Sequence, residues 1–127
     1  MFETLSIKRM TAALISHAGA RLGLIARNVA QADTPGYQAM DLPDFATTYQ
    51  DTAQDGMRVT RPGHFSSAGL RAEPVAQASG GEASPDGNTV ALEREMVKSV
   101  EVRQQYDMAL AVYRNTGDIL RTSLGRR

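Results

Sequence analysis

Two histidines, His17 and His64, and a pair of glutamates, Glu93 and Glu95, are the side chains of this sequence that invite a chemical role. A metal site needs several convergent ligands, and neither histidine has another ligand at the spacing that a helix or a tight turn would bring together. His17 therefore reads as a solvated helix residue. Two carboxylates flanking a bond are the machinery of glycoside cleavage. Residues two apart on a helix point in different directions, however, so Glu93 and Glu95 read as charges of a helix's first turn. The sequence contains no Gly-x-Ser-x-Gly elbow, no Gly-rich phosphate loop and no His-Glu-x-x-His pattern. It has no cysteine, which removes disulfides, thiolate metal sites and cysteine nucleophiles from consideration. The residues imply neither an enzyme nor a cofactor.

The 127-residue chain has the length of one domain. Its net charge is zero. The ends are mildly basic and residues 41–89 are acidic, with none of the clustered basic surface that nucleic-acid binding requires. There is no apolar run of the ~18 residues needed to insert into a membrane. The start, Met1 to Arg9, lacks the basic stretch, apolar core and small-residue cleavage site of a secretory signal, so no cleaved leader is expected.

The first segment, residues 1–40, reads as a helix ending in a turn. Ile7, Met10, Leu14, Ala18, Leu22, Ile25 and Val29 step by three or four residues and form one apolar stripe. The helix should stop at Asp33-Thr34-Pro35-Gly36-Tyr37, because Pro35 disfavours helical geometry at Thr34 and Pro-Gly suits the centre of a type II turn. Residues 41–89 show no sustained period and hold more than half of the glycines and four of the five prolines. Met57–Thr60 reads as a short strand. The small, polar run Ala76–Ser84 lacks the side chains that would offset chain entropy and is expected to be mobile. Ser84-Pro85-Asp86-Gly87-Asn88 reads as a turn. From residue 90 to 127 the helical period returns, with Leu92, Met96, Val100, Tyr106, Leu110, Tyr113, Leu120 and Leu124 as its stripe. Glu93 and Glu95 at its start and Arg121, Arg126 and Arg127 at its end complement the helix dipole.

The predicted fold is mainly α: long N- and C-terminal helices in an antiparallel, coiled-coil-like hairpin, forming one assembly domain, with an irregular and partly flexible middle. Two helices side by side bury one stripe each. Leu5, Ile15, Leu24, Val97, Val102, Val112 and Ile119 lie off those stripes and have nothing to pack on within a hairpin. Other subunits are the simplest cover, so the chain is expected to be marginal alone and ordered in an assembly.

The stretch Asn28-Val29-Ala30-Gln31-Ala32-Asp33-Thr34-Pro35-Gly36-Tyr37-Gln38-Ala39 resembles the N-terminal signature of the flagellar rod, hook and hook-associated axial proteins, in which Asn-aliphatic-Ala-Asn-Ala runs into Thr-Pro-Gly-Tyr. Short length, Asp41-Leu42-Pro43-Asp44-Phe45, and Ser84–Val90 leading into Leu92-Glu93-Arg94-Glu95-Met96 are similar to the proximal rod (FlgB) family. The resemblance covers residues 1–45 and 84–124; Thr60–Phe65 matches in outline only. Gln31 replaces the family's more usual Asn. Ala91 stands where an acid commonly caps the second helix, so that cap would pass to Thr89 or Asn88.

The resemblance implies a structural subunit of the bacterial flagellar basal-body rod, exported by the flagellar type III pathway without a cleaved signal and assembled in the periplasm as part of the drive shaft. It implies that Asn28, Ala30, Asp33, Thr34, Pro35, Gly36 and Tyr37 form the family turn, with Tyr37 packing on a neighbouring subunit. Leu14, Ala18, Leu22, Ile25, Val29, Met96, Val100, Tyr106, Leu110, Tyr113 and Leu120 would contribute to an inner tube built with copies of the chain, other rod proteins and the basal-body adaptor at the export gate. A non-polymerising helical adaptor of the export apparatus is the competing reading.

Overall fold

The computed structural model describes residues 2–54 and 74–125. The expected strand at Met57–Thr60, the partial match at Thr60–Phe65 and His64 fall outside them. The elements run α1 (Phe2–Ala30), β1 (Met40–Asp41), α2 (Phe45–Gln54), β2 (Gln77–Ala78) and α3 (Leu92–Ser123). At ~1.5 Å per residue, α1 and α3 are each on the order of 45 Å long.

The two long helices lie side by side and antiparallel. Asn28, near the end of α1, bonds to Glu95 at the start of α3. At the opposite end Lys8 Nζ sits 5.0 Å from the centre of the Tyr113 ring. The sequence-derived hairpin is thus the observed architecture.

The seam between the helices runs differently from the predicted stripes. Buried positions recur every seven residues: Thr11, Ala18 and Ile25 on α1, and Glu95, Val102, Ala109 and Thr116 on α3. Between the buried α3 positions stand Ser99, Tyr106, Tyr113 and Leu120, all partly buried, so the steps alternate between three and four. This is the 3.5-residue period of a coiled-coil seam. Ala18, Ile25 and Val102 form its apolar centre, with Leu22 and Tyr106 packed against them.

Val102, expected to lack a partner within a hairpin, is 1% exposed. Leu92, Met96, Val100 and Leu124, assigned to the inner stripe of α3, are 40–70% exposed. The reason is geometric. Steps of four from Leu92 to Val100 advance about 40° beyond a full turn each time, and the six-residue jump to Tyr106 lands on another face. The apparent stripe therefore crosses from the outside of the helix to its seam.

The described residues of the middle, 40–54 and 74–89, hold one helix and the two short strands. Helix α2 had no sequence signal of period, yet the Asp44 carbonyl accepts the Thr48 N–H at 3.1 Å and opens it. Phe45 seats α2 edge-on against the His17 ring, with centroids 5.6 Å apart, and Tyr49 lies 5.4 Å beyond Phe45. His17 is buried, not solvated, because its Nε2 donates to the Pro43 carbonyl at 3.0 Å. Strands β1 and β2 pair antiparallel, Met40 opposite Ala78 and Asp41 opposite Gln77. Within the run expected to be mobile, Gln77–Ser79 is held by this pairing and by the Ser79 N–H on the Ala39 carbonyl at 2.8 Å.

Candidate functional site: a polar clasp at the closed end of the hairpin

The motif turn forms where the sequence places it. Helix α1 ends at Ala30, and the Tyr37 N–H closes a turn on the Thr34 carbonyl at 3.3 Å. Gly36 has φ +71°, the left-handed value that a type II turn demands at its third residue. The second turn also forms, with the Gly87 N–H on the Ser84 carbonyl at 2.8 Å and Gly87 at φ +81°. The two turns face one another: the Gly36 N–H donates to the Asp86 carbonyl at 3.0 Å, and the site of a Cβ on Gly87 lies 3.5 Å from the Gly36 Cα.

Asn88 joins this junction to the end of α1. A helix leaves its last carbonyls without intrahelical donors. The Asn88 side-chain amide reaches three carbonyls just past α1, those of Gln31, Ala32 and Thr34, at 3.0, 2.6 and 2.9 Å. Its own Oδ1 accepts the Val90 N–H at 2.8 Å. Neither Asn88 nor Thr89 therefore caps α3, contrary to expectation. The Thr89 hydroxyl accepts the Ala39 N–H at 2.9 Å, and Ala91 takes the N-cap position with no side-chain bond.

One turn earlier on α1, Asn28 is fully buried and uses its whole amide. Its Nδ2 donates to the Met40 carbonyl at 2.8 Å and to Glu95 Oε2 at 2.9 Å. Its Oδ1 accepts from the Met40 N–H at 3.1 Å and from the Tyr37 hydroxyl at 3.2 Å. Two donors and two acceptor sites are the full capacity of a carboxamide. Asn28 thus pairs with Met40 as a neighbouring strand would, while its second N–H reaches α3.

Glu95 extends the network. It is a first-turn acid of α3, as expected, and it is buried there, 2% exposed. Lys98 bonds Glu95 Oε1 at 3.0 Å and lies 3.3 Å from Asp41 Oδ2. Arg21 grips Asp41 in a fork, Nε to Oδ1 at 2.7 Å and Nη2 to Oδ2 at 3.0 Å. The Leu42 N–H adds a third donor to Asp41 at 2.8 Å. Two cations and two carboxylates balance within one cluster that ties α1, β1 and α3 together.

The electrostatics follow the geometry. Burial by itself raises the Asp41 pKa, but the Arg21 hydrogen bond and charge, the Leu42 N–H and Lys98 outweigh it and hold the carboxyl below the ordinary aspartate value. The Asp41 hydrogen bond raises Arg21 further above its already high value. Burial lowers Lys98, yet Glu95 and Asp41 overcome it and raise the ammonium.

Of the motif residues, Asn28 is the buried centre and Tyr37 is half-buried against it, while Ala30, Asp33, Thr34, Pro35 and Gly36 are exposed. Of the residues proposed for assembly, Ala18 and Ile25 are buried within the chain. Leu14, Leu22, Tyr106, Leu110, Tyr113 and Leu120 are partly buried, and Val29, Met96 and Val100 are exposed. Sequence reasoning did not find Arg21, Asp41, Glu95 and Lys98 as a cluster. The one available signal was that Glu95 lies a heptad before Val102.

No described helix is long and apolar enough to cross a membrane. The described residues thus form two long helices sharing a heptad seam, closed at one end by a Thr-Pro-Gly-Tyr turn. Comparison with known proteins shows the family. The chain is 37% identical over 95 residues to the flagellar basal body rod protein FlgB of Agrobacterium fabrum (strain C58), covering 69% of each chain. It is 34% identical over 102 residues to FlgB of Escherichia coli K12, covering 72% of each. It is 31% identical over 102 residues to FlgB of Salmonella typhimurium LT2, covering 72% of this chain and 73% of that one. The chain belongs to the flagellar basal body rod protein FlgB family. No family model matches it.

Proposed function

We propose that this chain is a structural subunit of the proximal rod. In this reading it assembles through α1 and α3 with copies of itself, with other rod proteins and with the basal-body adaptor at the export gate. It reaches the periplasm through the flagellar type III pathway and carries torque as part of the drive shaft.

The observation that supports this reading is the outer surface of α3. Val97, Val100, Met108 and Ile119 are 59–68% exposed on the side away from the seam. Among the described residues only six hydrophobic side chains are buried, whereas fourteen large ones are exposed. Large apolar side chains left exposed together on one helix face point to an interaction surface. A rod subunit covers it with its neighbours.

The test is Val100→Asp. Val100 is 68% exposed, so the hairpin should keep its stability within about 0.5 kcal/mol. Burying that charge at an interface costs several times more. Cells carrying the variant should lose rods and swimming while the soluble protein stays helical. Normal motility would overturn the assignment of this face. A fixed one-to-one complex with a single rod partner, in place of open-ended oligomers, would instead support the adaptor reading.

A further inference from the structure

The heptad seam, taken alone, does not define how far along each other the two helices sit. Thr11, Ala18 and Ile25 on α1 repeat every seven residues, as do Val102, Ala109 and Thr116 on α3. A slide of one heptad, ~10.5 Å, brings each seam position onto another of the same kind. The length of the connection does not prevent it, although the bonds that Asn88 and Thr89 make to residues 31–39 would have to break. Residues 31–91 join the helices, far more chain than a tight helical hairpin uses, and three extended residues span that distance.

One layer of the seam is different. Asn28 and Glu95 meet there, respectively fully buried and 2% exposed, and every bond of the Asn28 amide is used. Sliding by a heptad in one direction sets Asn28 against Val102. The Asn28 amide is then buried against an apolar side chain with no partner, while Glu95 stands beyond the end of α1 at Ala30 and has lost its α1 partner. A buried amide left without its bonds costs on the order of 1–3 kcal/mol. Asp41 adds a second reference point, because it bonds Arg21 of α1 and contacts Lys98 of α3 from the same strand.

We propose that the Asn28–Glu95–Lys98–Asp41–Arg21 clasp fixes the axial register of the hairpin, with Asn28 as its positioning residue. A buried polar layer used in this way lowers the number of competing alignments more than it adds to stability. On the reading of the chain as a rod subunit, the consequence is that Val97, Val100 and Met108 are held at a set height relative to α1, where a neighbouring copy must meet them.

The register can be measured directly because the chain has no cysteine. Nitroxide labels at Ala26→Cys and Arg114→Cys occupy exposed positions, one on each helix. With Asn28 opposite Glu95, the two sites are roughly 25 Å apart along the axis. Pulsed electron–electron resonance on the full-length isolated chain, with the clasp intact, should give one distance. In Asn28→Leu/Glu95→Leu, which replaces both partners by apolar groups, a second population displaced by about 10 Å should appear while the far-UV helical signal is retained. In Glu95→Val/Val102→Glu, which moves the carboxylate one heptad, the main distance should shorten by about 10 Å.

A single native distance in the apolar variant overturns the proposal, since seam packing or the Asn88 junction would then set the register. Loss of the helical signal in that variant also overturns it, because the clasp would then be required for folding and not for alignment. An unshifted distance in the exchange variant counts against it as well. The isolated chain is used throughout, so the outcome is independent of whether the rod assignment holds.

Discussion

Replacing Asn28 by Ala tests the clasp most severely. The side chain forms four hydrogen bonds, three to neutral groups and one to the Glu95 carboxylate, in a position with no access to water. A neutral bond contributes about 0.5–1.5 kcal/mol net, and one to a charged group about 1.5–3. Not all of this is lost, because the Tyr37 hydroxyl, only half-buried, can turn to solvent. The Met40 N–H and carbonyl and the Glu95 oxygen cannot do so without opening the junction. A loss of about 3–5 kcal/mol is therefore expected, against a whole-domain stability of about 5–15. Urea unfolding followed by circular dichroism would read it as a lower midpoint at unchanged slope. Glu95→Gln provides the contrast, since its carbonyl still accepts from Asn28 while Lys98 keeps Asp41; it should lose less than half as much. A loss below about 1 kcal/mol for Asn28→Ala, or an equal loss for the two variants, would show that the amide network does not hold the closed end together.

Further outcomes follow from the same geometry. Val102→Ala removes the most buried apolar side chain of α3 and should cost about 1–3 kcal/mol, whereas Val100→Ala, two residues away but on the outside, should change stability by less than about 0.5 in the same urea titration. Asp41 is depressed in the folded state, so the unfolded chain binds its proton first. Its stabilisation is present above about pH 4 and is lost as pH falls through the folded value. The urea midpoint should fall across that acid range, and Asp41→Asn should flatten the fall while lowering the midpoint at pH 7. Gly87→Ala should cost about 1–2 kcal/mol, through its φ of +81° and not through crowding, because the nearest atom to the new Cβ is at ordinary contact distance. Gly23→Ala should raise the thermal midpoint of the isolated chain, worth about 0.5–1 kcal/mol, since the glycine lies mid-helix and a Cβ there meets nothing.

The parts legible in the sequence were those governed by short-range chemistry. Pro35 and Gly36 end a helix and build a turn wherever they occur, and both glycine turns appeared in place. A three- and four-residue apolar period over some thirty residues specifies a long helix whatever surrounds it, and two such segments leave little alternative to a hairpin. The Thr-Pro-Gly-Tyr signature carried the family, which the relatives then bore out.

Which face of α3 points inward was decided by tertiary structure. Val100 and Val102 are equally apolar, and the choice between them depends on where α1 lies. The same holds for polar residues. Glu95 and His17 are residue types that ordinarily sit in water, and each is buried only because a partner far along the chain satisfies it: Asn28, 67 residues away, and Pro43, 26 residues away. Helix α2 likewise depends on the Phe45–His17 contact more than on its own threonine-rich composition. Local conformation can be read from neighbours a few residues apart, because backbone sterics and helical periods act over that range. A buried hydrogen bond between distant residues has no local period, and it exists only once the chain has brought its two ends together.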